Sequence, residues 1–127
     1  MTSFGIDFGT TNSAAVKMAL GVEPQKYGDE TGRPLPSIVA IDIATGEMKG
    51  GRHVWENREF FAESPQYILV PSVKWKLGTD EVWQTERGVL TPEDVASFIL
   101  KSLSSRALEL GLEPIRQASI TIPYIYP

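Results

Sequence analysis

Residues 3–8 alternate in character, with Phe4, Ile6 and Phe8 set against Gly5 and Asp7. Residues 13–20 alternate again through Ala14, Val16, Met18 and Leu20. A period of two marks a strand with one face buried. The two runs are joined by Gly9-Thr10-Thr11-Asn12, four residues rich in turn formers, so together they predict an antiparallel hairpin. A third short strand is expected within residues 22–27, interrupted by Pro24. Residues 28–36, with Gly28, Gly32, Pro34 and Pro36, read as a loop. Residues 38–43 alternate cleanly and predict a strand, and Thr45-Gly46 then turns the chain into a shorter one ending at Gly50-Gly51. Residues 54–61 combine helix formers with apolar spacing and predict a short helix.

The clearest helix starts at Thr91. That residue suits an N-cap, Pro92 suits the first helical position, and Glu93 and Asp94 complement the positive end of the helix dipole. Val95, Phe98, Ile99, Leu103, Ala107 and Leu110 follow at helical spacing, and Gly111 suits the C-terminal cap. After Pro114, residues 118–122 read as a strand that Pro123 ends. The order is hairpin, small mixed insert, long helix, strand. It predicts an α/β layer structure, with residues from about 36 to 88 as a satellite insertion rather than a second independent core.

Composition narrows the chemistry. The chain has 127 residues, 42% hydrophobic and 22% charged, ordinary for one globular domain. Twelve basic residues against sixteen acidic ones give a net charge of −4, so a cationic nucleic-acid footprint is absent. With no cysteine and His53 as the single histidine, thiol catalysis, disulfides and multi-histidine or thiolate metal sites are excluded. Any metal must take oxygen ligands, which points to magnesium or calcium. No apolar run approaches the roughly 18 residues of a membrane helix, and no basic region precedes a long apolar one at the N-terminus. The expectation is an intracellular, cytoplasmic protein that engages neither membrane nor nucleic acid.

Chemistry concentrates in Asp7-Phe8-Gly9-Thr10-Thr11-Asn12-Ser13. A tight turn with one glycine and two threonines can aim several backbone N–H groups and hydroxyls at one point, the equipment of an anion cradle. A carboxylate at Asp7 would repel a phosphate there unless a cation stood between them, which suits a magnesium-side ligand. An ordinary hairpin turn accounts for the same residues, since the stretch is neither a Walker A loop nor GxGxxG. In Val73-Lys74-Trp75-Lys76-Leu77-Gly78, a lysine could neutralise phosphate charge, or both lysines could be solvated surface groups.

Taken together, these motifs resemble a known family. Gly5-Ile6-Asp7-Phe8-Gly9-Thr10-Thr11-Asn12-Ser13 resembles the phosphate-binding signature of the Hsp70 chaperones, members of the actin-like ATPase superfamily. Gly32-Arg33 with Pro36-Ser37-Ile38-Val39-Ala40 is similar to the segment that opens the family's small upper subdomain, and Ser72-Val73-Lys74 through Gly78 to its catalytic-lysine segment. Thr91-Pro92-Glu93-Asp94-Val95 with Phe98-Ile99-Leu100 resembles the start of its first long helix. Ser119-Ile120-Thr121-Ile122-Pro123-Tyr124 resembles the strand ending in its allosteric proline. Five segments in the family's order favour the phosphate cradle over the plain hairpin.

The resemblance implies an actin-like ATPase (ribonuclease H-like) partial lobe, the N-terminal part of an Hsp70 ATPase domain. It implies ATP/ADP and Mg2+ as ligands. Gly9, Thr10, Thr11 and Asn12 would contact the phosphates, Lys74 would orient the γ-phosphate and attacking water, Thr10 would sense that phosphate, and Asp7 would be the magnesium-side aspartate. Pro123 would relay nucleotide state. In the parent, unfolded peptide, a J-domain co-chaperone and a nucleotide-exchange factor are the implied partners, in a stress-response role.

Departures from the family pattern accompany the match. Asn12 replaces an aromatic found in some members, and Trp75 and Lys76 differ from the usual basic pair. The shortened stretch from Gly78 to Thr91 is expected to have lost a β-hairpin. The second phosphate loop, catalytic glutamate, second aspartate and adenosine-binding elements are not in this sequence, so negligible ATP hydrolysis and some self-association are expected of it alone. Two other functions compete: a non-catalytic interaction module on the same scaffold, and another enzyme of the superfamily such as a sugar kinase. His53 is expected to be an exposed or a packing histidine. Glu63 and Asp80-Glu81 are expected at the surface, and Trp55, Phe60, Phe61, Trp75 and Trp83 in a small core or on a binding face.

Overall fold

The alternating runs at the start of the chain pair as their period requires. β1 (Thr2–Phe8) and β2 (Asn12–Ala19) form an antiparallel hairpin in which Phe8 faces Ser13 and Thr2 faces Ala19. The structure, a computed structural model, describes residues 2–19, 21, 23, 25–29, 31, 33–109 and 118–121. β3 (Gln25–Tyr27) and β4 (Leu35–Pro36) both run antiparallel to β2, with β4 at its turn end. β10 (Ala118–Thr121) lies parallel to β1, which makes the sheet mixed. Pro36 is tolerated in β4 because that strand pairs with β2 alone among the described strands.

Between β3 and β4 the loop closes tightly. The Asp29 N–H donates to the Arg33 carbonyl at 2.8 Å, and a Cβ on Gly28 would lie 1.7 Å from that oxygen, so only glycine fits.

A second sheet has β5 (Val39–Asp42) at its centre, antiparallel to both β6 (Met48–Gly50) and β7 (Tyr67–Val70). Clean alternation predicted a strand buried on one face, yet all four residues of β5 are buried. The cause is a core on each side. Val39 and Ile41 join a large cluster with Phe8, Leu35, Val70, Val73, Val95, Ile99 and Leu103, whereas Ala40 joins Ile38, Val54 and Phe61 in a smaller one. The insert thus shares its main core with the hairpin and the long helix.

The short helix expected over 54–61 is two helices, α1 (Arg52–Glu56) and α2 (Arg58–Glu63), separated at Asn57. Its φ of −111° and ψ of 24° leave the helical basin, and its side-chain amide donates to the His53 carbonyl at 2.8 Å. The Asn57 backbone N–H donates to the same carbonyl at 3.1 Å, so side chain and backbone share one acceptor at the break, which spacing of apolar residues does not reveal. Val54 and Phe61 still point inward from either side of the break.

The stretch expected to have lost a hairpin contains one. β8 (Trp83–Thr85) pairs with β9 (Gly88–Leu90), and the Thr85 hydroxyl donates to the Gly88 carbonyl at 2.8 Å across the turn. α3 (Pro92–Glu109) follows and packs on β2, β3 and β6 through a stripe that includes Val95, Ile99 and Leu103. Its start obeys the capping chemistry of the sequence. The Asp94 N–H donates to Thr91 Oγ1 at 3.2 Å, while Thr91 N–H donates back to Asp94 Oδ2 at 2.9 Å. The Gly111 cap, Leu110, Pro24, Gly32, Pro114, Ile122, Pro123 and Tyr124 lie outside the described residues.

Candidate functional site

The 9–12 turn is narrow because Gly9 and Asn12 meet across it. The Gly9 N–H donates to the Asn12 carbonyl at 3.0 Å, and a Cβ on Gly9 would stand 2.3 Å from that oxygen. Any side chain there would push the turn open. Between these two residues, neither the Thr10 nor the Thr11 amide finds an acceptor among the described residues. Thr10 is half-buried, while Thr11 and Asn12 are exposed. Two neighbouring unused N–H donors with two hydroxyls beside them can receive an oxyanion.

The far side of the turn is fastened to the strand that leads into the insert. The Ser37 N–H donates to the Thr11 carbonyl at 2.8 Å. Ser13 and Ser37, each about 1% exposed, join their hydroxyls at 2.7 Å. Sequence reasoning passed over both serines as site residues; their types carry no signal until β4 is seen to pair beside the turn.

Lys74 and Lys76 prove to be different residues. Both stand on a 3-10 turn, Lys74–Lys76, where a few residues suffice to direct one lysine inward and the next outward. Lys76 is at the surface, ion-paired with Glu81 at 2.8 Å. Lys74 is 6% exposed, and none of the described residues bonds to its ammonium. The Lys74 stem is therefore packed inside, while its ammonium keeps access to solvent. Val73, just before it, belongs to the same buried cluster as Phe8, just before Gly9. Turn and lysine are rooted in one core, although no hydrogen bond joins them. Asp7 stands on β1 between Ala14 and Thr121 by register, and its expected metal role rests on a side chain outside those described. Among the described residues, no group of three or more acidic or histidine side chains gathers as a metal site.

One polar constellation escaped the sequence entirely. Asp29, with its side chain fully shielded, accepts from Arg52 Nε at 2.9 Å, from the Thr31 amide at 2.9 Å and from the Thr31 hydroxyl. Arg52 Nη2 also reaches the Pro34 carbonyl at 3.2 Å. Burial raises the Asp29 carboxyl, but the Thr31 hydroxyl and amide and the Arg52 guanidinium outweigh it and hold the group below its ordinary value. The residues are 23 apart in sequence, so only the fold brings them together.

The aromatics divide. Phe61 is buried, edge-on to Tyr67 at 4.9 Å and to Phe60 at 5.2 Å, while exposed His53 meets it at 6.0 Å. Trp55 is covered by the Arg58 guanidinium at 4.2 Å. Trp75, 56% exposed, and Trp83 line an open groove of about 510 Å³ with Leu69, Pro71 and Ser72. Glu63 is exposed as expected, and Glu81 is the partner of Lys76.

No protein-family model matches the chain. Among curated proteins, the chaperone protein DnaK of Thermosipho africanus is 36% identical over 123 residues, which cover 94% of this chain. The chain is an Hsp70-family segment. It spans 19% of the length of that DnaK, so the Hsp70 match concerns about a fifth of such a protein. The small α/β architecture, with largely antiparallel sheets and one long helix, is compatible with part of an Hsp70 ATPase domain. Among the described residues, no helix is long and apolar enough to cross a membrane.

Proposed function

We propose that this segment is the N-terminal part of an Hsp70-type ATPase domain and holds one side of its MgATP site. Gly9, Thr10, Thr11 and Asn12 receive the phosphates through backbone N–H groups and hydroxyls, and Lys74 supplies the cation that faces the terminal phosphoryl group. The observation that carries the proposal is Lys74 itself. Its aliphatic stem is enclosed, while its ammonium is not a buried unpartnered atom and keeps access to solvent, so an anion can approach it. None of the described residues bonds to that ammonium, which leaves it available to an anion held at the 9–12 turn.

The residues fit a nucleotide phosphate in kind: unused amides, hydroxyls and one cation, with a glycine where a side chain would intrude. Magnesium, if held, falls to Asp7, where it would neutralise phosphate charge. The chain's own contribution is positioning and charge, the main protein contribution to phosphoryl transfer. The proposal extends to an actin-like fold with residues from about 36 to 88 as its inserted subdomain. It places the parent in the cytoplasm as a chaperone that binds unfolded peptide and works with a J-domain co-chaperone and an exchange factor. Support for these extensions is the family match alone.

The test uses the longest natural polypeptide that carries this segment. Lys74→Ala or Thr10→Ala should lower ATP turnover by about 100-fold, the scale of removing one group that stabilises charge in a transition state. Unchanged turnover in both variants would remove these residues from the site. Calorimetry that detects no MgATP affinity in the unmodified polypeptide would favour a non-catalytic interaction module, and phosphorylation of a sugar would favour a kinase.

A further inference from the structure

We infer that Ser13 and Ser37 are positioning residues that hold the 9–12 turn in its anion-receiving shape; the inference rests on the phosphate role proposed for that turn. Neither hydroxyl can reach solvent, so neither is a ligand contact. Their bond spans 24 residues and ties β2 to the residue that follows β4, between β4 and β5. Ser37 then uses its backbone as well, its N–H holding the Thr11 carbonyl at 2.8 Å.

The effect on the turn follows from peptide planarity. Fixing the Thr11 carbonyl fixes the peptide plane that follows Thr11. The Asn12 carbonyl, bonded by the Gly9 N–H, fixes the next plane. The turn is thereby clamped on its exit side, and the unused Thr10 and Thr11 amides lie between Gly9 and that clamp. A site of preset donors binds an anion without the cost of ordering itself first. Two buried hydroxyls are not needed for stability, because replacing both partners by apolar groups of similar shape is close to neutral. Their value lies in register: the pair sets which part of residues 35–39 meets the turn.

The decisive comparison is the unmodified natural polypeptide against Ser13→Ala/Ser37→Ala, with Ser13→Ala alone as a second variant that leaves Ser37 intact. Hydrogen exchange without ligand, read by mass spectrometry on peptides covering residues 8–13 and 36–40, should accelerate about tenfold at the Gly9 and residue-37 amides. Peptides from α3 should be unchanged. MgATP affinity by calorimetry should fall about tenfold, the scale of one lost hydrogen bond, with the thermal midpoint nearly unchanged. Exchange that stays as in the unmodified protein, or full MgATP affinity after the turn has loosened, overturns the inference. An unmodified protein that binds no MgATP overturns the phosphate role instead, and the exchange result still decides whether the serines hold the turn.

Discussion

Asp29 shows how much a single residue can depend on its surroundings. Thr31 and Arg52 stabilise its charged form more than burial penalises it, so its folded carboxyl titrates below the ordinary aspartate value of 3.8. A depressed folded value means stability that is fully present above the unfolded value and is lost as pH falls through the folded one. Asp42 behaves likewise. Burial raises it, while the Gln66 side chain, the Thr45 and Ala44 amides and Lys49 together bring it lower. Urea denaturation followed from about pH 6 down to about pH 2.5 should therefore lose midpoint steadily at the acid end. Asp29→Asn should flatten that slope without abolishing it, since Asp42 remains. An unaltered slope would mean that Asp29 is equally stabilised in the unfolded chain.

At the scale of elements, local chemistry accounts for the start of α3 and fails for the helices before it. Thr91 and Asp94 satisfy each other's amides, and the first helical bond, from the Val95 N–H to the Thr91 carbonyl at 3.2 Å, follows directly. Thr91→Ala should destabilise the fold by about 1 kcal/mol in a denaturant titration, the usual cost of a lost N-cap. Adding Asp94→Ala should cost less than its effect alone, because the two side chains act as one unit. The division between α1 and α2 lies instead in the backbone angles of Asn57, whose side-chain amide and backbone N–H share the His53 carbonyl, and apolar spacing reads through such a break. The β8–β9 hairpin was hidden for a related reason: a comparison of segment lengths counts residues, whereas Thr85 closes a short turn that needs few of them.

For the whole molecule the pivotal strand is β5. It separates the two hydrophobic clusters and contributes to both, so a void opened there is poorly relieved by movement of neighbours. Ile41, with no solvent exposure, is the test. Ile41→Ala should lower unfolding free energy by about 2–5 kcal/mol, read from chemical denaturation. Unfolding should stay a single transition, because the insert and the hairpin–helix layer share one core. Two separable transitions would show that the insert folds on its own. The same sharing places Gly9 and Lys74 on a common foundation, through Phe8 and Val73.

Sequence alone determined what neighbouring residues decide among themselves. The hairpin follows from two alternating runs around Gly9-Thr10-Thr11-Asn12, and the onset of α3 from Thr91, Pro92 and Asp94. The Hsp70 resemblance, carried by five ordered segments, agrees with 36% identity to DnaK. Tertiary structure decided what depends on distant partners. It enclosed Lys74 and left Lys76 at the surface, although the two lysines are indistinguishable by type and spacing. It covered both faces of β5, joined Asp29 to Arg52 and bonded Ser13 to Ser37. Burial and long-range hydrogen bonds are properties of what packs around a residue, and a period of two or of 3.6 records only the residue's own preference.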